Sequence, residues 1–375
     1  MRDAFSLDPS ITHLNNGSFG AVPRPVAEHQ RRVRDQAEAN PMRFHRVDLA
    51  HLKVRAREVA ADFLGTRPDE VAMVRNVTES ASTVLASLAR EGALGPGDVV
   101  VLHAQGYESV RRTVSSWCDR TGASYEVVPD VAAYREVLAR LDGRARLVVV
   151  DRITSPTGTV LPVTEVAAAA HEAGALAFVD AAHAPGQVAV RPAEEGADFW
   201  TGTWHKWGFA PRGTTALWVA EPWRERVLPL TTSWNHGQPF PLPFDTHGTD
   251  DYSAWLSLEA AVAFWHDAGG LEIGERGRGL LDDGAKLVAA ALPEVEAALP
   301  ATPAPMLRLV PLPDGVADTV QSADALYEAL SARRVEVQVV AYDGRGWLRL
   351  SGAVYNEPAD YERLAEVLPE VLVRR

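Results

Sequence analysis

The chain carries 37 basic residues, of which only Lys53, Lys206 and Lys286 are lysines. Lys53 and Lys286 lie in ordinary charged stretches of helical spacing. Lys206 lies between His205 and Trp207, in a turn rich in Trp, Gly and Thr (Asp198-Phe-Trp-Thr-Gly-Thr-Trp-His-Lys-Trp-Gly208). A guanidinium keeps its proton in a protein and cannot attack a carbonyl, whereas a desolvated amine can. Lys206 therefore reads either as an imine-forming nucleophile or as a cation whose stem runs over indole rings. The residues around it decide between the two.

Several of those residues can share one chemistry. Asp180 closes the apolar run Leu176-Ala-Phe-Val179 shortly before Lys206. A carboxylate there can hold a pyridine nitrogen protonated, making the ring a sink for electrons left at the α-carbon of an amino acid. Tyr107 can stack on such a ring, and Ser155 can hydrogen-bond its hydroxyl. Thr78 is a suitable N-cap for the helix opening at Asn76-Val-Thr-Glu-Ser80, and free N–H groups with the helix dipole favour an anion at that end. With Thr203 and His205 it can hold a phosphate. Arg349 has the fork geometry for a substrate carboxylate. Each residue also has a plain structural use: Asp180 as an N-cap, Tyr107 as packing, His205 as a surface group, Arg349 as a strand-edge charge. Their shared placement points to one site.

That placement comes from the elements. Short apolar runs (71–75, 99–102, 147–151, 176–180, 215–219) alternate with helical patterns, the signature of a mainly parallel sheet covered on both faces. Ligands bind such sheets outside the carboxyl ends of the strands, where Thr78, Tyr107, Ser155 and Asp180 all fall. Residues 26–64 read as one or two exposed amphipathic helices closed by Gly65, residues 161–174 as a further helix, and 230–250 as a long irregular segment. A helix over 252–268 follows. From about residue 270 the pattern changes to helix (271–292), strand (306–310), helix (322–333), strands (335–340 and 347–351) and a last helix near 358–374, a compact α+β unit. Trp200, Trp204, Trp207 and Trp234 read as walls of a roomy aromatic pocket or as core.

Composition narrows the field. With 375 residues, 46% apolar and 23% charged, the chain has the make-up of a globular protein. A net charge of −13 without a basic block argues against nucleic acid as a partner. The one cysteine, Cys118, excludes a disulfide framework and a cysteine-based zinc site. No apolar run reaches membrane-spanning length and no apolar leader opens the sequence, so no membrane partner and a cytoplasmic location are expected. No Gly-x-Gly-x-x-Gly follows a strand, which removes a dinucleotide-dependent oxidoreductase.

The stretches His13-Leu-Asn-Asn-Gly-Ser-Phe-Gly20, Asn76-Val-Thr-Glu79, Ile153-Thr-Ser-Pro-Thr-Gly158, Val179-Asp-Ala-Ala-His-Ala-Pro-Gly186, Gly202-Thr-Trp-His-Lys-Trp207, His247-Gly-Thr-Asp250 and Leu348-Arg-Leu-Ser-Gly-Ala-Val-Tyr-Asn356 run nearly the length of the chain. In this order they resemble the class V aminotransferase family of fold type I pyridoxal-phosphate enzymes, in its isopenicillin N epimerase-like branch. The resemblance implies an aspartate aminotransferase-like α/β fold, with a large cofactor-binding domain (18–268) and a smaller α+β domain (1–17 and 269–375). It implies pyridoxal 5′-phosphate as cofactor. Lys206 would carry it, Asp180 would meet the pyridine nitrogen, and His183 would lie on the ring-hydroxyl side. Ser155, with Thr154 as a rival, would bond that hydroxyl, and Tyr107 would stack. Val77 through its amide, Thr78, Thr203 and His205 would bind phosphate. Gly248-Thr249 would reach the phosphate of a neighbouring subunit, which implies a homodimer with shared sites. Arg349 would hold the substrate carboxylate, with Asn16 nearby.

The resemblance also carries a departure. Cysteine desulfurases of this class use a mobile cysteine late in the chain, whereas Cys118 sits in a helical stretch, so a protein-bound persulfide is not expected. With Lys206 and Asp180 in place, a catalytically silent scaffold is disfavoured. The expected activity is cleavage of the α C–H bond of an amino acid, followed by β-elimination from an S-substituted cysteine in secondary metabolism. Epimerisation and transamination are the alternatives.

Overall fold

Apolar residues on successive positions of the central strands go alternately to two cores. Val99, Val101, Val148, Val150, Ala177, Val179 and Trp200 join the core on one face of a sheet. Val100, Leu102, Leu147, Val149, Phe178 and Phe199 join the core on the other. This two-residue period is why the strands read as unbroken apolar runs: both faces are covered by helices. The structure, a computed structural model, describes residues 1–292, 295 and 300–373.

The chain begins with a two-residue strand, β1 (Thr12–His13), and the helices α1 (Arg24–Ala39), α2 (Pro41–Arg43) and α3 (Leu49–Leu64). β2 (Val71–Val74) leads into α4 (Val77–Arg90), and β3 (Val99–His103) into α5 (Glu108–Thr121). β4 (Ser124–Val128) leads into α6 (Ala133–Leu141), and β5 (Ala145–Asp151) into α7 (Val163–Glu172). Next come β6 (Leu176–Asp180), β7 (Phe199–Thr203), the one-turn helix α8 (Trp204–Trp207) and β8 (Thr215–Val219). Helices α9 (Ser253–Leu256), α10 (Leu258–Ala268) and α11 (Glu272–Ala290) lead to β9 (Leu307–Pro311), α12 (Val320–Ser331), β10 (Val335–Glu336), β11 (Gln338–Tyr342), β12 (Arg345–Ser351) and α13 (Pro358–Val373).

Seven strands form the main sheet in the order β2-β8-β7-β6-β5-β3-β4. β8 is antiparallel to both its neighbours, and the other pairings are parallel. β9, β11 and β12 make an antiparallel three-stranded sheet. It shares a core with Leu14, α11, α12 and α13. β1 pairs with β10, so the N-terminal strand is tied to the C-terminal part of the chain. A fourth apolar cluster contains Phe5, Ile153, Trp207, Trp265 and Leu307.

Several expectations change here. The Trp/Gly/Thr turn before Lys206 is largely the buried strand β7, and Lys206 sits on the one-turn helix that follows. The apolar pattern does not anticipate β4 and α6; the residues of β4 are mostly exposed, so it lacks the signature of the inner strands. The helix expected over 252–268 breaks at Ser257. Residue 374 of the last predicted helix lies outside the described residues. The stretch around Lys53 is not a solvated face. Lys53 is buried, its Nζ 3.4 Å from the centroid of the Tyr252 ring and bonded to the Asp245 carbonyl. Burial lowers its pKa to about 8. Trp200, Trp204 and Trp207 are core residues, and Trp234 is 91% exposed, so the four do not line one pocket. Among the described residues no helix is long and apolar enough to cross a membrane.

Candidate active site

Alternation along β6 places Phe178 on the face covered by α4 and α5, Val179 on the other, and Asp180 on the first again. Its carboxylate is buried at the strand's carboxyl end. Oδ1 accepts the Ala182 N–H at 3.0 Å, while Oδ2 has no partner. A buried carboxylate oxygen without a donor is costly and calls for an explanation. Burial raises the pKa of Asp180, opposed by the Ala182 N–H and by Lys206.

Lys206 Nζ lies 3.0 Å from His183 Nε2 and 6.0 Å from the centroid of the Tyr107 ring. Burial and the Arg349 guanidinium lower its pKa to about 8, against the pull of Asp180 and Asp151. The hydrogen-bond chain also settles which partner carries the proton. Trp207 Nε1–H donates to His183 Nδ1 at 3.3 Å, and an indole N–H can only donate. Burial and the neighbouring cations hold His183 neutral. The imidazole proton is therefore on Nε2 and points at Lys206, whose nitrogen can accept it once the amine has lost its proton, above about pH 8. The sequence pairs Trp207 with Lys206 only as an indole neighbour; its role as tautomer-setting donor depends on the fold.

The loop 15–20 braces the backbone beneath Lys206. Asn16 Nδ2 donates to the Lys206 carbonyl at 2.7 Å, and Gly20 N–H to the His205 carbonyl at 3.1 Å. A Cβ at Gly20 would overlap both carbonyl oxygens, so this approach requires glycine. Asn16 Oδ1 accepts from the Ala21 N–H and from Tyr355 Oη–H. Asn16 is thus spent on holding the loop to Lys206.

At the start of α4 the N-cap is Asn76, not Thr78: Asn76 Oδ1 accepts the Glu79 N–H at 2.9 Å. Thr78 lies inside the first turn, and its hydroxyl meets Ser109 Oγ at 3.1 Å, from the start of α5. Two helix N-termini thus converge here, and the Val77 and Thr78 amides belong to a first turn without intrahelical acceptors. At the end of β7, Thr203 Oγ1 and His205 Nδ1 are 2.5 Å apart. Burial, with Lys206 and Arg212, lowers His205 to about 4, so it is neutral. Ser109 has no signal in the sequence beyond its place near Tyr107.

Arg349, on β12, is buried. Its Nη1 donates to the Ser155 carbonyl and its Nη2 to Ser18 Oγ at 3.2 Å, while Nε has no partner. Among the described residues no carboxylate lies within ion-pairing distance of it, so the cation is uncompensated. Burial lowers its pKa to about 10, and it keeps its charge at neutral pH. Thr154 Oγ1 is used within its own turn by Thr157 Oγ1 at 2.5 Å and the Thr159 N–H at 2.8 Å. Ser155 is half-buried beside Arg349. Tyr107 is 41% exposed. Thr249 is exposed, in a loop tied to the start of α4 by the Arg75–Asp250 ion pair. Cys118 is buried in α5, its thiol pushed up to about 11.

The aminotransferase class-V profile matches residues 20–364. Isopenicillin N epimerase of Amycolatopsis lactamdurans is 31% identical over 403 residues, covering 99% of this chain and 97% of that protein. Putative L-cysteine desulfhydrase 1 of Oryza sativa subsp. japonica is 30% identical over 404 residues, covering 97% of this chain and 84% of its own. Among solved structures, the apo cysteine desulfurase of Thermococcus onnurineus NA1 has the same fold, with a TM-score of 0.82, 21% identity, and coverage of 100% of this chain and 98% of that one.

Proposed function

The chain belongs to the aminotransferase class-V family and is a pyridoxal-phosphate-dependent enzyme; on that premise we propose that it is a C–S lyase acting on cysteine or an S-substituted cysteine. The observation that carries the reading is the buried Asp180 Oδ2 without a donor, near a lysine whose pKa burial lowers to about 8. A pyridine N–H fits that oxygen. The first-turn amides of α4, Thr78, Thr203 and His205 would hold the phosphate, Tyr107 would cover the ring, and Lys206 would carry the aldehyde carbon. Bound in this way, pyridoxal phosphate supplies a sink for the electrons released at the substrate α-carbon.

The chain's own residues do the rest. Arg349 binds the α-carboxylate through its fork, which compensates a buried cation. His183 Nε2–H orients the Lys206 lone pair, and Lys206 takes the α-proton. The ammonium so formed returns a proton to the departing sulfur as the Cβ–S bond breaks. The enamine left by elimination adds water and yields pyruvate and ammonia. Resemblance to desulfhydrases supports this outcome. So does the thiol of Cys118, which is buried and held protonated and thus unsuited to accept sulfur. Similarity to isopenicillin N epimerase supports the second reading, reprotonation on the opposite face. We also propose a homodimer, for which the exposed Thr249 loop is the contact to examine, a role in secondary metabolism, and the division into residues 18–268 and the remainder.

The test offers the purified enzyme a panel of S-substituted cysteines and other amino acids. Pyruvate with a free thiol supports the lyase. Solvent deuterium at the α-carbon with racemised product and no pyruvate overturns it in favour of the epimerase. Turnover that requires an added keto acid overturns both in favour of transamination.

A further inference from the structure

In the sequence Asp151 marks only the end of a strand, yet it is the register partner of Asp180 on the adjacent parallel strand. Alternation along β5 puts Val149 on the α4/α5 face, Val150 on the other, and Asp151 back on the face of Asp180. Two carboxyls thus stand side by side at neighbouring strand ends, Asp151 4% and Asp180 2% exposed. Among the described residues no arginine or lysine makes an ion pair with either one. Asp151 receives the Tyr107 backbone N–H, and its Oδ2 lies 3.2 Å from where a Cβ on Gly106 would stand, so the 105–107 loop closes directly over it. The other groups around it are accounted for. Lys206 approaches from α8. His103, which ends the other flanking strand, points to the opposite face, stacked on Tyr134 and held neutral by burial. Beyond the Tyr107 N–H, Asp151 has no ion-pair partner among the described residues.

Resting on the pyridoxal-phosphate reading above, we propose that Asp151 is a further cofactor-contacting residue: it keeps its proton beside the ionised Asp180 and donates it as a hydrogen bond to the ring hydroxyl oxygen. Two carboxylates this close cannot both ionise cheaply, so the pair shares a single negative charge. Asp180 keeps that charge because the pyridine N–H needs an acceptor; Asp151 keeps the proton because an oxygen needs a donor. Adjacent strands are about 4.8 Å apart, so the two carboxyls are near enough to meet different polar atoms of one ring. Burial and the charge of Asp180 both raise the affinity of Asp151 for its proton. The assignment moves the hydroxyl contact from Ser155 to Asp151.

The experiment is a pH titration of the visible absorbance of the holoenzyme in wild type, Asp151→Asn and Asp151→Ala. Asparagine keeps a neutral donor, so its midpoint is expected within about 0.3 unit of wild type. Alanine loses the donor, so its midpoint is expected to rise by about half a unit to one unit, the equivalent of one hydrogen bond. A fall in both variants means Asp151 is an anion and overturns the proposal, as does an alanine midpoint equal to wild type. If Asp151→Ala does not retain the chromophore, Asp151→Asn decides alone. An unchanged midpoint, with cofactor-free melting no lower than wild type at pH 8, supports the proposal; a lowered midpoint or a lowered melting temperature overturns it. Borohydride fixation on Lys206, located by mass spectrometry in wild type, tests the underlying reading separately.

Discussion

Replacing Asp180 by asparagine should move the stability of the empty and the loaded protein in opposite directions. The amide oxygen of the new side chain can still accept the Ala182 N–H, so the turn at the end of β6 survives. The atom replacing Oδ2 becomes a donor, facing a ring N–H that is also a donor. The lost contact is a charge-assisted hydrogen bond, worth about 1.5–3 kcal/mol, and at about 1.4 kcal/mol per decade pyridoxal phosphate should bind roughly 10- to 150-fold more weakly. Without cofactor the sign reverses, because the wild type holds a buried carboxylate oxygen with no partner. Burial raises the pKa of Asp180. A carboxyl with a raised folded-state pKa costs nothing when protonated in both states; its penalty grows as pH rises from the unfolded value, about 4, to the folded value and is constant above it. Cofactor-free Asp180→Asn should therefore melt at or above wild type, with a margin no smaller at pH 8 than at pH 5. Added pyridoxal phosphate should raise the melting temperature of wild type much more than that of the variant. Thermal melts with and without cofactor across that pH range make the measurement. Wild-type cofactor affinity and turnover in Asp180→Asn would refute the reasoning.

Other perturbations probe the remaining groups. Arg349→Lys keeps a charge but loses the fork, and KM should rise roughly 10- to 100-fold, the worth of a charge-assisted pair, with a smaller change in kcat; steady-state kinetics with an unchanged KM would remove the carboxylate role. Trp207→Phe removes the donor that sets the His183 tautomer, a neutral bond worth about 0.5–1.5 kcal/mol, so kcat should fall roughly two- to tenfold with cofactor still bound, as kinetics and absorbance together will show. Capture of pyridoxal phosphate by the cofactor-free chain should rise with a midpoint near pH 8 rather than 10.5, because burial and Arg349 favour the free amine. The same shift means that Lys206 weakens the fold below about pH 8 and that this cost fades towards 10.5. Cys118→Ala should leave pyruvate formation within about twofold of wild type, since its thiol is buried and held protonated.

The sequence by itself carried the strand–helix alternation, the polar residues at strand ends, and the contrast between one lysine and 34 arginines. These signals are local: a two-residue apolar period, a helix opening at Asn76, a Thr-x-His-Lys run. They were enough to propose Lys206, Asp180, Thr78, Thr203 and Arg349 as one site, while His183 entered only with the family resemblance. What the sequence left open depends on distant segments. Whether the tryptophans wall a pocket or fill a core depends on which sheet face each one meets, and only packing decides that. Lys53 reads as a surface cation until Tyr252, from a far later part of the chain, is laid against it. Asp151 and Asp180 end similar apolar runs, but parallel pairing through a crossover helix is what sets them side by side. Sheet register is a property of hydrogen bonds between strands, and no spacing within either strand records it.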